Sequence, residues 1–95
     1  MARVKILIVD DERLLRWSLH QKCEEWGYEV FDAENGGEAL ALAQAESPDV
    51  ILLDVRLPDM SGLEVLEKLK SNGESMTVIM ITADYTLSLH DALPI

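Results

Sequence analysis

The 95 residues carry 18 Asp and Glu against 8 Lys and Arg, a formal net charge of −10, with 48% apolar and 27% charged residues, the composition of one small folded domain or part of one. No apolar run approaches the roughly 20 residues of a membrane-spanning helix, and the acid excess argues against nucleic-acid binding, which needs a basic face to neutralise phosphate. Lys5, Asp10 and Asp11 interrupt the first apolar stretch, so no signal peptide is read and the expected location is the cytoplasm, with no membrane contact.

In chain order, Val4 to Val9 is a continuous run rich in Val and Ile, as a strand buried on both faces would be. It ends on the paired acids Asp10 and Asp11. Glu12 to Trp26 reads as a helix with Leu15, Leu19, Cys23 and Trp26 at spacings near 4, and Gly27 stands where a helix stop belongs. Cys23, the only cysteine, is expected to be a buried small side chain without disulfide or zinc. His20 shows no acidic or nucleophilic neighbour at a useful spacing and is not read as a phosphoryl carrier, while Trp17 faces a different side from Leu15, Leu19 and Trp26, as a contact residue or as peripheral packing. Tyr28 to Ala33 is shorter and more mixed, as an edge strand would be.

Gly36 and Gly37 form no phosphate-cradling G-x-G-x-x-G, which disfavours a dinucleotide-binding domain. Gly37 to Ala45 reads as a helix presenting Leu40 and Ala43, ending before Pro48. Asp49 to Leu53 is a second buried strand, closed by Asp54 and followed by a loop containing Pro58 and Gly62. Ser61 to Leu69 opens with a cap at Ser61, has Glu64 three residues on, and places Leu63, Leu66 and Leu69 in i, i+3 steps. Thr77 to Ile81 is a last strand, followed by Thr82 and the small Ala83. This βαβαβαβ alternation predicts an α/β fold, a doubly wound parallel sheet with right-handed crossovers and helices on both faces.

The final residues depart from the pattern. Thr86 to Ile95 read TLSLHDALPI, and all of them match one translated frame of a widely used short-read sequencing adapter. Residues 1–84 are therefore expected to be a partial domain, truncated after the fourth strand, with 85–95 a non-native tail. Such a chain is expected to fold poorly, with Thr77 to Ile81 left as a bare apolar edge.

In an open parallel sheet, ligands bind beyond the carboxyl ends of the strands, where the winding reverses. Asp10 and Asp11 end the first strand and Asp54 the third, so the three converge if those strands are neighbours. Two carboxylates 4 Å apart repel by about 4 kcal/mol at an effective dielectric of about 20, and a hard cation such as Mg²⁺ offsets this while bridging to phosphate oxygens. Asp10 and Asp11 by themselves could equally cap the next helix. Asp54, presented on a turned loop, and Thr82, a hydroxyl donor at the end of the next strand, complete a phosphoryl-transfer chemistry. A phosphatase with an aspartate nucleophile is the rival enzyme reading. It requires Asp-x-Asp, which Asp10-Asp11-Glu12-Arg13 does not supply.

The segments Ile6 to Glu12, Leu53 to Gly62 and Met80 to Ala83 resemble the receiver domain of two-component response regulators, over essentially all of residues 1–84. Glu12 to Leu19 resembles the nitrogen-regulation, enhancer-binding class. The resemblance implies a flavodoxin-like sheet in the order 2-1-3-4-5 and a signalling role in phosphorelay rather than metabolic catalysis. Asp54 would be the phosphoacceptor for a histidine kinase or phosphotransfer protein. Asp11, Asp54 and the backbone carbonyl of Arg56 would hold Mg²⁺, and Asp10 would act through a metal-bound water. Thr82 would be the switch hydroxyl, with Ala83 leaving it space. The output, implied to be transcription, would lie in a further domain, and the full-length protein would dimerise on phosphorylation. The family's lysine and aromatic switch residue belong to the fifth strand and beyond, and none of Lys5, Lys22, Lys68 and Lys70 takes the lysine's place at a strand's carboxyl end.

Overall fold

Seven elements alternate along the chain in the computed structural model, which describes residues 3–73 and 75–81. They are β1 (Lys5–Val9), α1 (Arg13–Glu25), β2 (Glu29–Ala33), α2 (Gly36–Glu46), β3 (Val50–Asp54), α3 (Gly62–Ser71) and β4 (Thr77–Ile81). The strands form one parallel sheet in the order β2-β1-β3-β4, the expected order over the described strands. The bounds differ from the sequence expectation by a residue or two, and one difference matters: β3 includes Asp54, so this carboxylate belongs to the ladder itself.

The apolar runs of β1 and β3 are explained by their central positions. Leu7, Val9, Ile51 and Leu53 face α2 and α3 in one core with Ala39, Ala43, Val65 and Leu69. Ile6 and Ile8 point the other way, into a second core that includes Cys23 of α1. Each fully buried large side chain contributes about 1.5–3 kcal/mol, so the two cores hold the ends of β1 and β3 in fixed register. On the α1 side of β4, Ile79 is 50% exposed.

The helix ends follow local chemistry. At the end of α1, Gly27 adopts φ +91°, its N–H donates to the Glu24 carbonyl and the Tyr28 N–H to that of Cys23, a left-handed stop that glycine adopts without penalty. Asn35 caps α2 by accepting the Glu38 N–H at 2.8 Å. Ser61 caps α3 by accepting the Glu64 N–H at 3.2 Å, as its sequence predicts.

Three expectations about helix faces need correction. Trp26 is 65% exposed and Leu15 also faces solvent; Trp26 is the C-cap of α1, and Leu15 lies about 20° from it around the helix, at the margin of the stripe that Leu19 and Cys23 bury. In α3 the buried stripe is Gly62, Val65 and Leu69, while Leu63 is exposed, because the contact with the sheet begins at Gly62. His20 is not isolated. Its Nδ1 lies 2.6 Å from Asp32 Oδ1 on β2 and its Nε2 3.2 Å from Glu24 Oε2, one turn along α1. The neighbour from β2 is twelve residues away in sequence, beyond any helical spacing.

Partial burial would lower the His20 pKa, but the two carboxylates outweigh it and hold the imidazole above its ordinary value. A raised folded pKa gives stabilisation that is fully present below the unfolded value of about 6.5 and disappears as pH rises through the folded value. His20→Asn should therefore destabilise the domain at pH 6 and much less at pH 9, by under about 1 kcal/mol because water screens the pair. Urea unfolding of both proteins at the two pH values checks this; a difference independent of pH would show that the imidazole contributes packing alone.

Candidate functional site

The parallel register that pairs Val9 with Leu53 brings the residues following β1 alongside Asp54 at the end of β3. Asp10, Asp11 and Asp54 each turn a carboxylate oxygen into one small region, the three atoms lying within 4.8 Å of one another. Asp10 is 3% and Asp54 8% exposed, whereas Asp11 is open to solvent. Two buried acids and one exposed acid thus meet at the carboxyl edge of the two central strands, as the sequence predicts.

Their backbone is pinned. The Asp10 N–H donates to the Ala33 carbonyl at 3.1 Å, extending the ladder with β2 by one residue, and Asp10 Oδ1 accepts the Glu12 N–H at 2.8 Å. Asp54 Oδ1 accepts the Arg56 N–H at 3.2 Å. The Val55 N–H donates to Ile81 of β4 and the Gly62 N–H to Val55, and Arg56 bridges Ser61, so the loop leaves and returns at the same point of β3. Gly62 is required there: a Cβ on it would collide with the Asp54 carbonyl oxygen and press on Val55 Cα.

Burial pushes the Asp10 and Asp54 carboxyls above the usual range. The amides of Glu12 and Arg56 pull them back in part, and repulsion from neighbouring acids, Asp11 for Asp10 and the Asp10–Asp11 pair for Asp54, adds to the upward push. An acidic, partly buried, oxygen-only donor set whose charges repel one another fits a hard divalent cation such as Mg²⁺. Thr82 and Ala83, the expected switch hydroxyl and its small neighbour, lie outside the described residues, as does the adapter-like segment.

Two residues that the sequence reading passed over are built into the surroundings. The Arg16 guanidinium donates through Nη1 to the Asp10 carbonyl oxygen at 2.7 Å. Asp59, in the loop after Asp54, accepts the N–H groups of Gly36 at 2.8 Å and Gly37 at 2.9 Å, tying that loop to the start of α2, and these bonds hold its carboxyl below the usual range. The available signals were an Arg in the second turn of a helix, where a cation opposes the helix dipole, and an Asp one residue beyond a loop proline. Trp17 is 59% exposed and, with Arg13, Leu14, Arg16 and Asp32, lines a surface groove along α1.

Comparison with known proteins agrees with this geometry. Residues 6–92 match the family described as the response regulator receiver domain. The chain is 42% identical over 83 residues to sporulation initiation phosphotransferase F of Bacillus subtilis (strain 168), covering 87% of this chain and 67% of that protein. It is 41% identical over 85 residues to the response regulator MprA of Mycolicibacterium vanbaalenii, covering 90% of this chain but 37% of MprA, so it spans little more than a third of that relative. Among solved structures, a CheY-like response regulator receiver domain protein from Methanospirillum hungatei JF-1 superposes with a TM-score of 0.82 at 42% identity, covering 85% of this chain and 65% of that one.

Proposed function

Because this chain belongs to the response regulator receiver domain family and is a signalling domain of two-component systems, we propose that Asp54 is its phosphoacceptor and that Asp10, Asp11 and Asp54, with the backbone carbonyl of Arg56, bind Mg²⁺. The observation that carries this reading is the convergence of three carboxylates within 4.8 Å at the ends of adjacent central strands. In the transfer, an Asp54 carboxylate oxygen forms the bond to phosphorus as the bond between phosphorus and the donor's histidine nitrogen, or a small donor's leaving oxygen, breaks. The product is a mixed anhydride, which both acid and base hydrolyse. Mg²⁺, when bound, neutralises the crowded acids and the charge on the transferring group. The Arg56 amide, 3.2 Å from Asp54 Oδ1, orients the carboxylate, and Asp10 and Asp11 supply the charge that attracts the cation.

The donor in this reading is a cognate histidine kinase or phosphotransfer protein in the cytoplasm. Thr82 is the switch hydroxyl and Ala83 the space beside it. The domain itself acts as a switch with at most autophosphorylation and autodephosphorylation activity, binds no nucleic acid, and serves a full-length protein that dimerises when phosphorylated and regulates transcription. The segment Glu12 to Leu19 supports the nitrogen-regulation, enhancer-binding class, and the adapter-like 85–95 has no part in this chemistry.

Incubation of a complete version of this domain with Mg²⁺ and a small phosphodonor should yield one acid-labile, base-labile phosphoryl group per chain. Asp11→Asn removes one hard oxygen charge from the cation's surroundings and should weaken Mg²⁺ binding by about tenfold or more, slowing labelling in proportion. Calorimetric titration with Mg²⁺ measures the first and a labelling time course the second. Labelling that proceeds undiminished in excess chelator, or an unchanged affinity in Asp11→Asn, would overturn the metal assignment.

A further inference from the structure

We propose that Arg16 is a positioning residue that holds the acid pair at the end of β1 in its cation-binding geometry, a reading that rests on the Mg²⁺ site proposed above. The peptide groups around Asp10 are gripped at both polar ends. The Asp10 N–H is held by the Ala33 carbonyl at 3.1 Å, and its carbonyl oxygen accepts from Arg16 Nη1 at 2.7 Å. The guanidinium is itself anchored from β2 and beyond, with Nε 4.0 Å from Asp32 Oδ2 and Nη2 3.9 Å from Glu34 Oε2. These two acids flank Ala33, the residue that holds the other end of Asp10. The Arg16 side chain is only 15% exposed, so little water competes for its donors.

Arg16 therefore closes a frame of β1, α1 and the end of β2 around the turn that presents Asp10 and Asp11. Only a planar fork with several fixed donors can reach the carbonyl and both acids together; a lysine ammonium offers a single point. The Arg16 backbone N–H also bonds the Glu12 carbonyl at 3.0 Å, which fixes the far side of the same turn.

This role makes a prediction of unusual sign. A cation beside an acidic site repels Mg²⁺, so on charge alone Arg16→Gln should tighten Mg²⁺ binding and Arg16→Lys should leave it unchanged. Positioning predicts that both weaken it, by about 10-fold, at the lower end of the range for residues that orient metal ligands. The full chain and the two variants are titrated with Mg²⁺ alone by calorimetry, and labelling rates are measured across Mg²⁺ concentrations. The expected result is weaker affinity in both variants, with the labelling rate recovering at saturating Mg²⁺. If Arg16→Gln fails to fold, Arg16→Lys decides the matter, since it preserves the charge. Saturable binding in the parent chain with equal or tighter binding in the variants overturns the role of Arg16 and leaves the metal site standing; no saturable binding in the parent chain overturns both.

Discussion

Asp54→Asn should abolish phosphoryl labelling and, in the absence of Mg²⁺, make the domain more stable. The first effect follows from chemistry. The amide keeps the shape of the carboxylate but has no anionic oxygen to attack phosphorus, so labelling should fall to background. The second follows from electrostatics. Asp54 is 8% exposed and shares its region with Asp10 and Asp11, and burial first, then their repulsion, raises its pKa above the ordinary 3.8. A carboxyl whose folded pKa is raised favours folding only when protonated. Its unfavourable contribution is absent below the unfolded pKa and grows as pH rises from there through the folded one. Removing the charge should gain about 1–2 kcal/mol at pH 7 after screening at the open side of the site, and nothing at pH 3. Radiolabelled phosphodonor and urea unfolding at both pH values provide the measurements. Labelling of Asp54→Asn equal to the parent would remove Asp54 as the acceptor, and a lower unfolding midpoint at pH 7 would refute the strained acid cluster.

Gly62→Ala should be the most damaging single methyl group in the domain. Its φ is not in the left-handed region, so the objection is steric. The added Cβ would strike the Asp54 carbonyl oxygen and crowd Val55 Cα, and both are backbone atoms of a strand end that cannot rotate away. The Gly62 N–H also donates to the Val55 carbonyl at 2.7 Å, so any shift of α3 that relieves the clash breaks this bond. Overpacking typically costs about 1–3 kcal/mol, and a backbone collision belongs at the upper end. For a domain of this size about 3 kcal/mol lowers Tm by roughly 10–20 °C, and labelling should fall as well because Asp54 itself is displaced. Gly37→Ala is the internal control. Its nearest neighbours would be Asn35 Oδ1 and Asp59 Oδ2, each at an ordinary 3.5 Å, and alanine is a better helix former by about 0.5–1 kcal/mol. Thermal unfolding by circular dichroism that ranks the two variants together would contradict the close approach.

The strands, the stops and the placement of the acids at strand ends were legible in residue order because each depends on neighbours in the chain. Val and Ile in unbroken runs suit strands covered on both faces. Gly27 ends α1 because glycine adopts the left-handed turn without penalty, and Ser61 begins α3 because its hydroxyl reaches an amide three residues on. Asp10, Asp11 and Asp54 close apolar runs, which suffices to place them at strand ends. What local order cannot contain is which strands are adjacent and how a helix is rolled about its axis. The pairing of β1 with β3 brought the acids together, and the roll of α1 and α3 on the sheet turned Leu15, Trp26 and Leu63 outward although their spacing matched the buried stripe. The partners of His20, Arg16 and Asp59 are of the same kind. Asp32 is twelve residues from His20, and Gly36 is 23 from Asp59. The His20–Asp32 contact exists only once β2 lies beside β1, and the Asp59 bonds only once the loop after β3 has reached the start of α2, whereas the His20–Glu24 pair, one turn along α1, was within reach of residue order.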